Sequence, residues 1–230
     1  MKKLFLLLGC TALLSSSCLN MNIGGMKTVV CKGPVETKVI EGLTDFSSIT
    51  VIGTADLFFT QSDTYCVSVE ANEEVFEHLD YKVENGTLIL GAKDSANIRA
   101  SKYEVTVSLP YIEAIVVAGA ADVKQKGEYK ADKDFTAVVN GAGDLYFYEK
   151  FVVPTLSVNV NGAGDIKVSD IEVENLSVSV NGAGDAVLAG KAKTASFSVN
   201  GAGDIDASEL DYEQVTTHKA GIASIQLKKQ

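Results

Sequence analysis

NGAGD occurs four times without change, at residues 140–144, 161–165, 181–185 and 200–204. Weaker copies extend the series: AGAAD at 118–122, AGIAS at 220–224 and, far upstream, IGTAD at 52–56. The closing residues fall at 122, 144, 165, 185, 204 and 224, so the period is 19 to 22 residues. A period of that length marks one supersecondary unit stacked many times.

The residues before each pentapeptide alternate. Leu156, Val158 and Val160 share one face, with Ser157, Asn159 and Asn161 on the other. The next copies repeat this with Leu176, Val178 and Val180, then with Ala195, Phe197 and Val199. After each Asp the first and third residues are apolar, as in Ile166 and Val168, and the second varies freely. Period-two alternation rich in Val and Phe is the pattern of half-buried strands.

Each unit is therefore strand, turn, strand. Glycine in the second and fourth places of the turn supplies backbone angles that a Cβ would strain. Alanine between them is small enough for neighbouring turns to pack, and Asn and Asp can bond the local backbone. In a hairpin array the two strands would pair with each other. In a coil each would pair with its counterpart in the next unit, ~4.8 Å away. The narrow spread of repeat lengths and the identical turns favour the coil. The expected fold is all-β: a right-handed parallel β-helix, or solenoid, with coils of about 20 residues. An antiparallel meander or sandwich built from the same strands is the alternative.

The chain has 230 residues, 46% hydrophobic, with 20 Gly, 3 Pro and no Trp. Few prolines suit continuous strand ladders. The formal charge is −10, and without Lys2 and Lys3 it is 18 basic against 30 acidic residues, or −12. With Arg99 as its single arginine, such a chain is not expected to bind nucleic acid.

Residues 1–18 read as a targeting segment. Lys2 and Lys3 precede an apolar run over 4–14, and Ser15–Ser17 leads to Cys18. That run is too short to span a bilayer. The segment resembles a bacterial lipoprotein signal in which Cys18 is acylated and becomes the mature N-terminus, although Ser rather than Leu stands three places before it. Cleavage near Ser17 without lipid is the alternative. Cys31 and Cys66 remain; in an oxidising envelope they could form a disulfide, or both could be small core residues. With His78 and His218 alone they make no zinc pattern.

In chain order, 19–34 reads as a polar tether. Residues 35–110 read as an irregular, β-rich cap, and 111–230 as the regular repeats, all in one domain. Within the cap, 46–60 follows the repeat grammar, with Ile49, Val51, Leu57 and Phe59 inward. Asn72 caps a short helical turn carrying Glu73, Glu74 and Glu77. Asn85-Gly86 marks a hairpin. Residues 93–101 read as a surface loop. At the far end Lys228 and Lys229 are placed to discourage end-to-end stacking.

The order FSSI-x-V-x-G-x-AD-L-x-F from Phe46, VENGTL-x-L from Val83, V-x-V-x-LP from Val105, then serial GAGD turns, resembles the head GIN domain family of auto-transporter adhesins. That family is common among Bacteroidetes envelope lipoproteins. The resemblance covers about residues 35–228. It implies a right-handed, β-helix-like fold and an extracytoplasmic site, and it supplies no catalytic residues to carry over.

The sharpest chemical candidate is the aspartate series Asp122, Asp144, Asp165, Asp185 and Asp204. Stacked coils would bring these carboxylates one rung apart, where like charges repel by ~1 kcal/mol per pair even in water. Three fates are open: splaying into solvent, accepting backbone N–H groups in the turn, or sharing cations. Calcium suits carboxylate and carbonyl oxygens, but the calcium-roll repeat has a period of about nine residues, not twenty. Asn140, Asn161, Asn181 and Asn200 are expected to form a structural amide ladder; binding glycan is the other role open to them. Tyr146 and Tyr148 are expected outside, with Phe147 in the core.

The reading is a non-catalytic, lipid-anchored protein of the cell envelope, outer-membrane and facing either side, with no cofactor. It would act as an adhesin or as a binding or structural module toward an extracellular or envelope ligand, glycan or protein. A carbohydrate-active enzyme on a β-helix and a calcium-dependent surface scaffold are the alternatives.

Overall fold

The computed structural model describes residues 19–23 and 26–229. The four NGAGD turns lie in line along one corner of a parallel β-solenoid. Asn140, Asn161, Asn181 and Asn200 are successive register partners, as are Gly141, Gly162, Gly182 and Gly201. No local hairpin joins the strands flanking these turns; each pairs in parallel with its counterpart one repeat away.

Each coil has three sides. A pre-turn face is built from Ser48–Gly53, Ala114–Gly119 and Phe135–Gly141, then from the closing halves of the long strands Phe151–Gly162, Ile166–Gly182, Ala186–Gly201 and Asp204–Gly221. A post-turn face begins with Tyr103–Leu109, Asp56–Gln61, Val123–Gln125 and Leu145–Phe147, and ends at Ser224–Leu227. A third face runs from Tyr129–Lys130 through Phe151, Ile171, Gly190 and Leu210. Differences in repeat length are absorbed away from the glycine corner, for instance by the register shift between Val168 and Ile171. The conserved spacing of the corner thus survives a repeat that varies from 19 to 22 residues.

The inward columns predicted by alternation are buried from Ile49 to Leu210. Near the first coils the core is aromatic. Phe147 and Phe151 stack at 5.0 Å, Tyr129 and Phe151 at 4.8 Å, and Phe59 meets Phe147 edge-on at 5.6 Å. The buried Tyr129 hydroxyl accepts from Ile112 N–H at 2.8 Å and donates to the Ile112 carbonyl at 3.1 Å, which fastens the loop after Pro110 to the core.

The regular coils begin earlier than the sequence suggests. Ser48–Gly53 lies in register with Ala114–Gly119, Gly53 opposite Gly119, although 66 residues separate them. Thr87–Ala92 and Tyr103–Leu109 add one more parallel rung outside it. Antiparallel strands then close both faces: Leu79–Glu84 on one, Cys66–Asn72 and Val35–Val39 on the other. The outermost strands carry the exposed pairs Glu36–Lys38 and Lys82–Glu84, charges that blunt an edge against further pairing. Asn85 and Gly86 turn the expected hairpin with φ of 51° and 73°.

Two expectations need correction here. Residues 19–34 are not simply a tether, because Met26–Cys31 forms a strand with Leu19–Ile23 on one side and Asn97–Ala100 on the other. The β-branched run Thr28-Val29-Val30 drives it, with Val29 fully buried. Residues 93–101 are accordingly a short 3-10 turn, Lys93–Ser95, and that third strand, not a surface loop.

At the other end the final coil places Thr217 and Lys219 in the columns held above by Phe197 and Val199. A lysine in a core column discourages continued stacking more directly than Lys228 or Lys229.

Candidate functional site

The corner is fixed by three sets of bonds. Each alanine N–H reaches the glycine carbonyl of the preceding coil, Ala142 to Gly119 at 3.0 Å and Ala163 to Gly141 at 2.9 Å. Each residue after the aspartate reaches the aspartate carbonyl of the following coil, Leu145 to Asp165 and Ile166 to Asp185, both at 2.8 Å. The side chains supply the third set.

Every aspartate carboxylate accepts the backbone N–H of its counterpart one coil on. Asp56 Oδ1 takes Asp122 N–H at 3.2 Å, and Asp122 takes Asp144 at 3.1 Å. Asp144 takes Asp165 at 2.8 Å, and Asp165 takes Asp185 at 2.9 Å. Asp185 takes Asp204 at 2.9 Å, and Asp204 takes Ser224 at 2.8 Å. The carboxylates thus take the second of the roles open to them, through Oδ1, and across coils rather than within one turn. Among the described residues no group of three His, Cys, Asp or Glu converges to hold a metal. The asparagines form a second ladder, Asn161 Nδ2 to Asn140 Oδ1 at 2.9 Å and Asn181 Nδ2 to Asn161 Oδ1 at 3.0 Å. Asn200 is in register above them.

The two glycines of each turn are not equivalent. The second place has φ of +149° at Gly141 and +153° at Gly162, the region that glycine favours. The fourth place does not share that region. Gly143 and Gly164 are glycine because a Cβ would lie 2.0 Å from the carbonyl oxygen of the coil beneath.

Beside the first aspartates the post-turn face carries a cluster that the sequence did not single out. Lys124 bridges Asp122 at 3.1 Å and Asp56 at 3.6 Å and sits 5.6 Å from both the Phe58 and Tyr146 rings. Lys126 lies 4.0 Å over Phe58. Burial raises the Asp56 carboxyl above its usual value despite these partners. Tyr146 and Tyr148 stack at 5.5 Å, as their outward placement predicts. The Tyr146 hydroxyl is already committed to Asp144 Oδ2 at 2.7 Å, and this bond, then burial, raises its pKa. Residues one rung apart formed this cluster, so it was visible only once Phe58, Lys124 and Tyr146 were aligned. A cleft of about 380 Å³ opens nearby, lined by Thr54, Asp56, Arg99, Lys102 and Glu104.

Cys18 lies outside the described residues. Of the two fates left open for Cys31 and Cys66, the disulfide is not formed: Asn72, at one end of Cys66–Asn72, donates to the Gly33 carbonyl at 2.7 Å, two residues from Cys31. Cys66 is at the opposite end, six residues and ~20 Å away, and the two cysteines are not joined. A disulfide needs Cα atoms within about 7 Å. Asn72 does precede a 3-10 helix, Glu73–His78, as expected, but its side chain makes no capping bond to it. Asn72 is buried and accepts from Ser101 N–H at 2.9 Å, Ser101 Oγ at 3.0 Å and Lys102 N–H at 3.2 Å, which ties the N-terminal strands to the first parallel rung. His218 is an exposed residue of the pre-turn face.

These stacked glycine corners and edge-capped parallel coils define a class of all-β solenoids. The chain belongs to the family described as "putative auto-transporter adhesin, head GIN domain", which matches residues 45–230. The adhesin-like description of that family suggests a place at the cell envelope or surface. Among solved structures it is similar to a "putative adhesin" from Parabacteroides merdae, at 25% identity and TM-score 0.80 over 87% of this chain and 83% of that one. A "putative lipid binding protein" from Parabacteroides distasonis matches at 23% identity and TM-score 0.77, over 88% of this chain and 100% of that one. A "putative adhesin" from the same species matches at 23% and TM-score 0.80, over 86% and 83%. These last two share the fold. No curated protein matches the chain. Among the described residues no helix is long and apolar enough to cross a membrane.

Proposed function

We propose that the chain is a non-catalytic adhesin or binding module of the cell envelope, held to a membrane through a lipid on Cys18. It would present the side of its solenoid to an extracellular ligand. One observation carries this reading. The outward side chains form rows that run from coil to coil along the axis, so the surface is extended in one dimension and repeats a single motif. Such a surface suits holding a long ligand, whereas catalysis needs unlike groups converging on one point. The adhesin family supports the same reading.

The test is a glycan and matrix-protein binding array probed with the full chain, beside adherence of cells with and without it. Retention of at least one ligand and loss of adherence on deletion are expected. A silent array together with unchanged adherence would overturn the reading. For the anchor, an alkyne-palmitate label should appear on the parent chain and vanish in Cys18→Ala, with release from the membrane fraction. Label retained in Cys18→Ala removes the lipid from the proposal.

A further inference from the structure

The pre-turn face carries eight parallel rungs, from Thr87–Ala92 to the end of Asp204–Gly221. Register gathers the outward side chains of these parallel rungs into three columns of twenty-three positions, and none is Asp, Glu, Lys or Arg; Asp80, Lys82 and Glu84 stand beyond them, on the antiparallel strand at one edge. At the chain-wide charged fraction of 22%, about five would be expected. The neighbouring post-turn face, by contrast, carries the aspartate ladder together with Lys124, Lys167 and Asp206.

From Thr136 to Thr216 the first column is Ser or Thr at every rung, and the third is the asparagine ladder up to Asn200. The middle column changes along the axis, from Val116 and Val138 to Asn159, Ser179 and Ser198, and ends at His218. At ~4.8 Å per rung and ~6.6 Å per alternate residue the face measures about 34 by 13 Å.

Its chemistry selects the partner. An acidic polymer, a nucleic acid or an anionic lipid surface would meet no lysine or arginine on the parallel rungs, only Lys82 at one edge and His218 on the last rung. A protein partner is usually gripped by buried aromatic and arginine anchors, which this face lacks. A second copy would bury about 450 Å² on each side, well under the ~800 Å² of a standard interface. Hydroxyls and carboxamides donate and accept at once, as sugar hydroxyls do. They are short and already held by the Asn161–Asn140 and Asn181–Asn161 bonds, so little side-chain freedom remains to be lost. Val116, Val138 and Ile52 offer flat apolar contact for the C–H faces of sugar rings at the other end.

We infer that this face binds an extended, uncharged polysaccharide laid along the solenoid axis. The inference rests on the adhesin reading above and names its ligand class and surface.

The experiment is pull-down and affinity electrophoresis of the full chain against cellulose, amylose, a β-1,3-glucan and mannan, with polygalacturonate and heparin as charged comparators. At least one neutral polymer should be retained, with an affinity unchanged by salt. The paired substitution Ser177→Lys and Ser196→Lys should weaken it at least tenfold while leaving circular dichroism and Tm as in the parent. Lys167→Glu, on the neighbouring face, should change nothing. Retention of no neutral polymer, of acidic polymers alone, or of a neutral polymer indifferent to Ser177→Lys and Ser196→Lys would each overturn the inference. So would self-association through this face in sedimentation. In those cases a ligand found on the array, seated on another face, would leave the adhesin reading standing.

Discussion

Gly162 and Gly164 sit two residues apart in one corner and are glycine for different reasons. A Cβ on Gly162 meets both a φ of +153° and the Gly141 carbonyl oxygen at 1.8 Å, whereas on Gly164 it meets only the Gly143 oxygen, at 2.0 Å. The obstacle is backbone in both cases and cannot swing away. Gly164→Ala should therefore cost on the order of 3 kcal/mol or more by urea denaturation, although its own backbone angles tolerate alanine. Gly86→Ala, with φ of +73° and nothing within 4 Å, should cost only about 1 kcal/mol. Similar losses at Gly164 and Gly86 would mean that coil spacing does not decide the residue. The same logic separates the two roles of the aspartates. Asp165→Asn keeps an acceptor for Asp185 N–H and removes one charge from a repelling row. It should match the parent or exceed it by up to ~1 kcal/mol, most clearly at low salt. Asp165→Ala strands that N–H and should cost about 1 kcal/mol. Millimolar calcium should leave the parent's Tm unchanged. A clear rise in Tm, with Asp165→Asn the weaker protein, would assign the row to a cation instead.

Among the elements, the four identical turns and their flanking alternation were fully legible, because each strand is decided by its own period-two pattern. The capping strands were legible only in part. Thr28-Val29-Val30 is a run of three, too short for periodicity, and its strand is completed by pairing with Leu19–Ile23 and Asn97–Ala100. Asn72 looked like a helix cap because the residues after it are acidic. Its amide is instead consumed by partners at Gly33, Ser101 and Lys102, which no local rule could supply. Tyr81 and Tyr103, whose hydroxyls meet at 2.9 Å, are a further cross-link of the cap. Burial pushes the Tyr103 hydroxyl from 10.0 up to about 12. A group whose pKa is raised by folding contributes fully below its unfolded value and loses that contribution as pH rises through the folded one. The parent should thus lose stability between pH 10 and about 12, by up to ~2 kcal/mol. Tyr103→Phe should show a shallower loss over the same window in guanidinium denaturation. Parallel profiles for the two proteins would detach the cap's alkaline sensitivity from this pair.

For the whole molecule, the net charge of −10 is a poor summary, because Asp, Glu, Lys and Arg are absent from the outward columns of the parallel rungs on one side. Composition could not reveal that side; it took the register, which converts a linear period into columns. The same register underlies the ladders, the cluster around Lys124 and the polysaccharide face, so stacking is the claim on which the account stands. Engineered disulfides test it most directly. Asn161→Cys with Asn181→Cys places the thiols on adjacent rungs, ~4.8 Å apart by Cα and within disulfide reach. Mild oxidation should close this bridge in high yield over the parent baseline. Asn161→Cys with Asn200→Cys, two rungs apart, should not close. A bridge in Asn159→Cys with Lys167→Cys, the partners a local hairpin would create, together with none between 161 and 181, would contradict the solenoid.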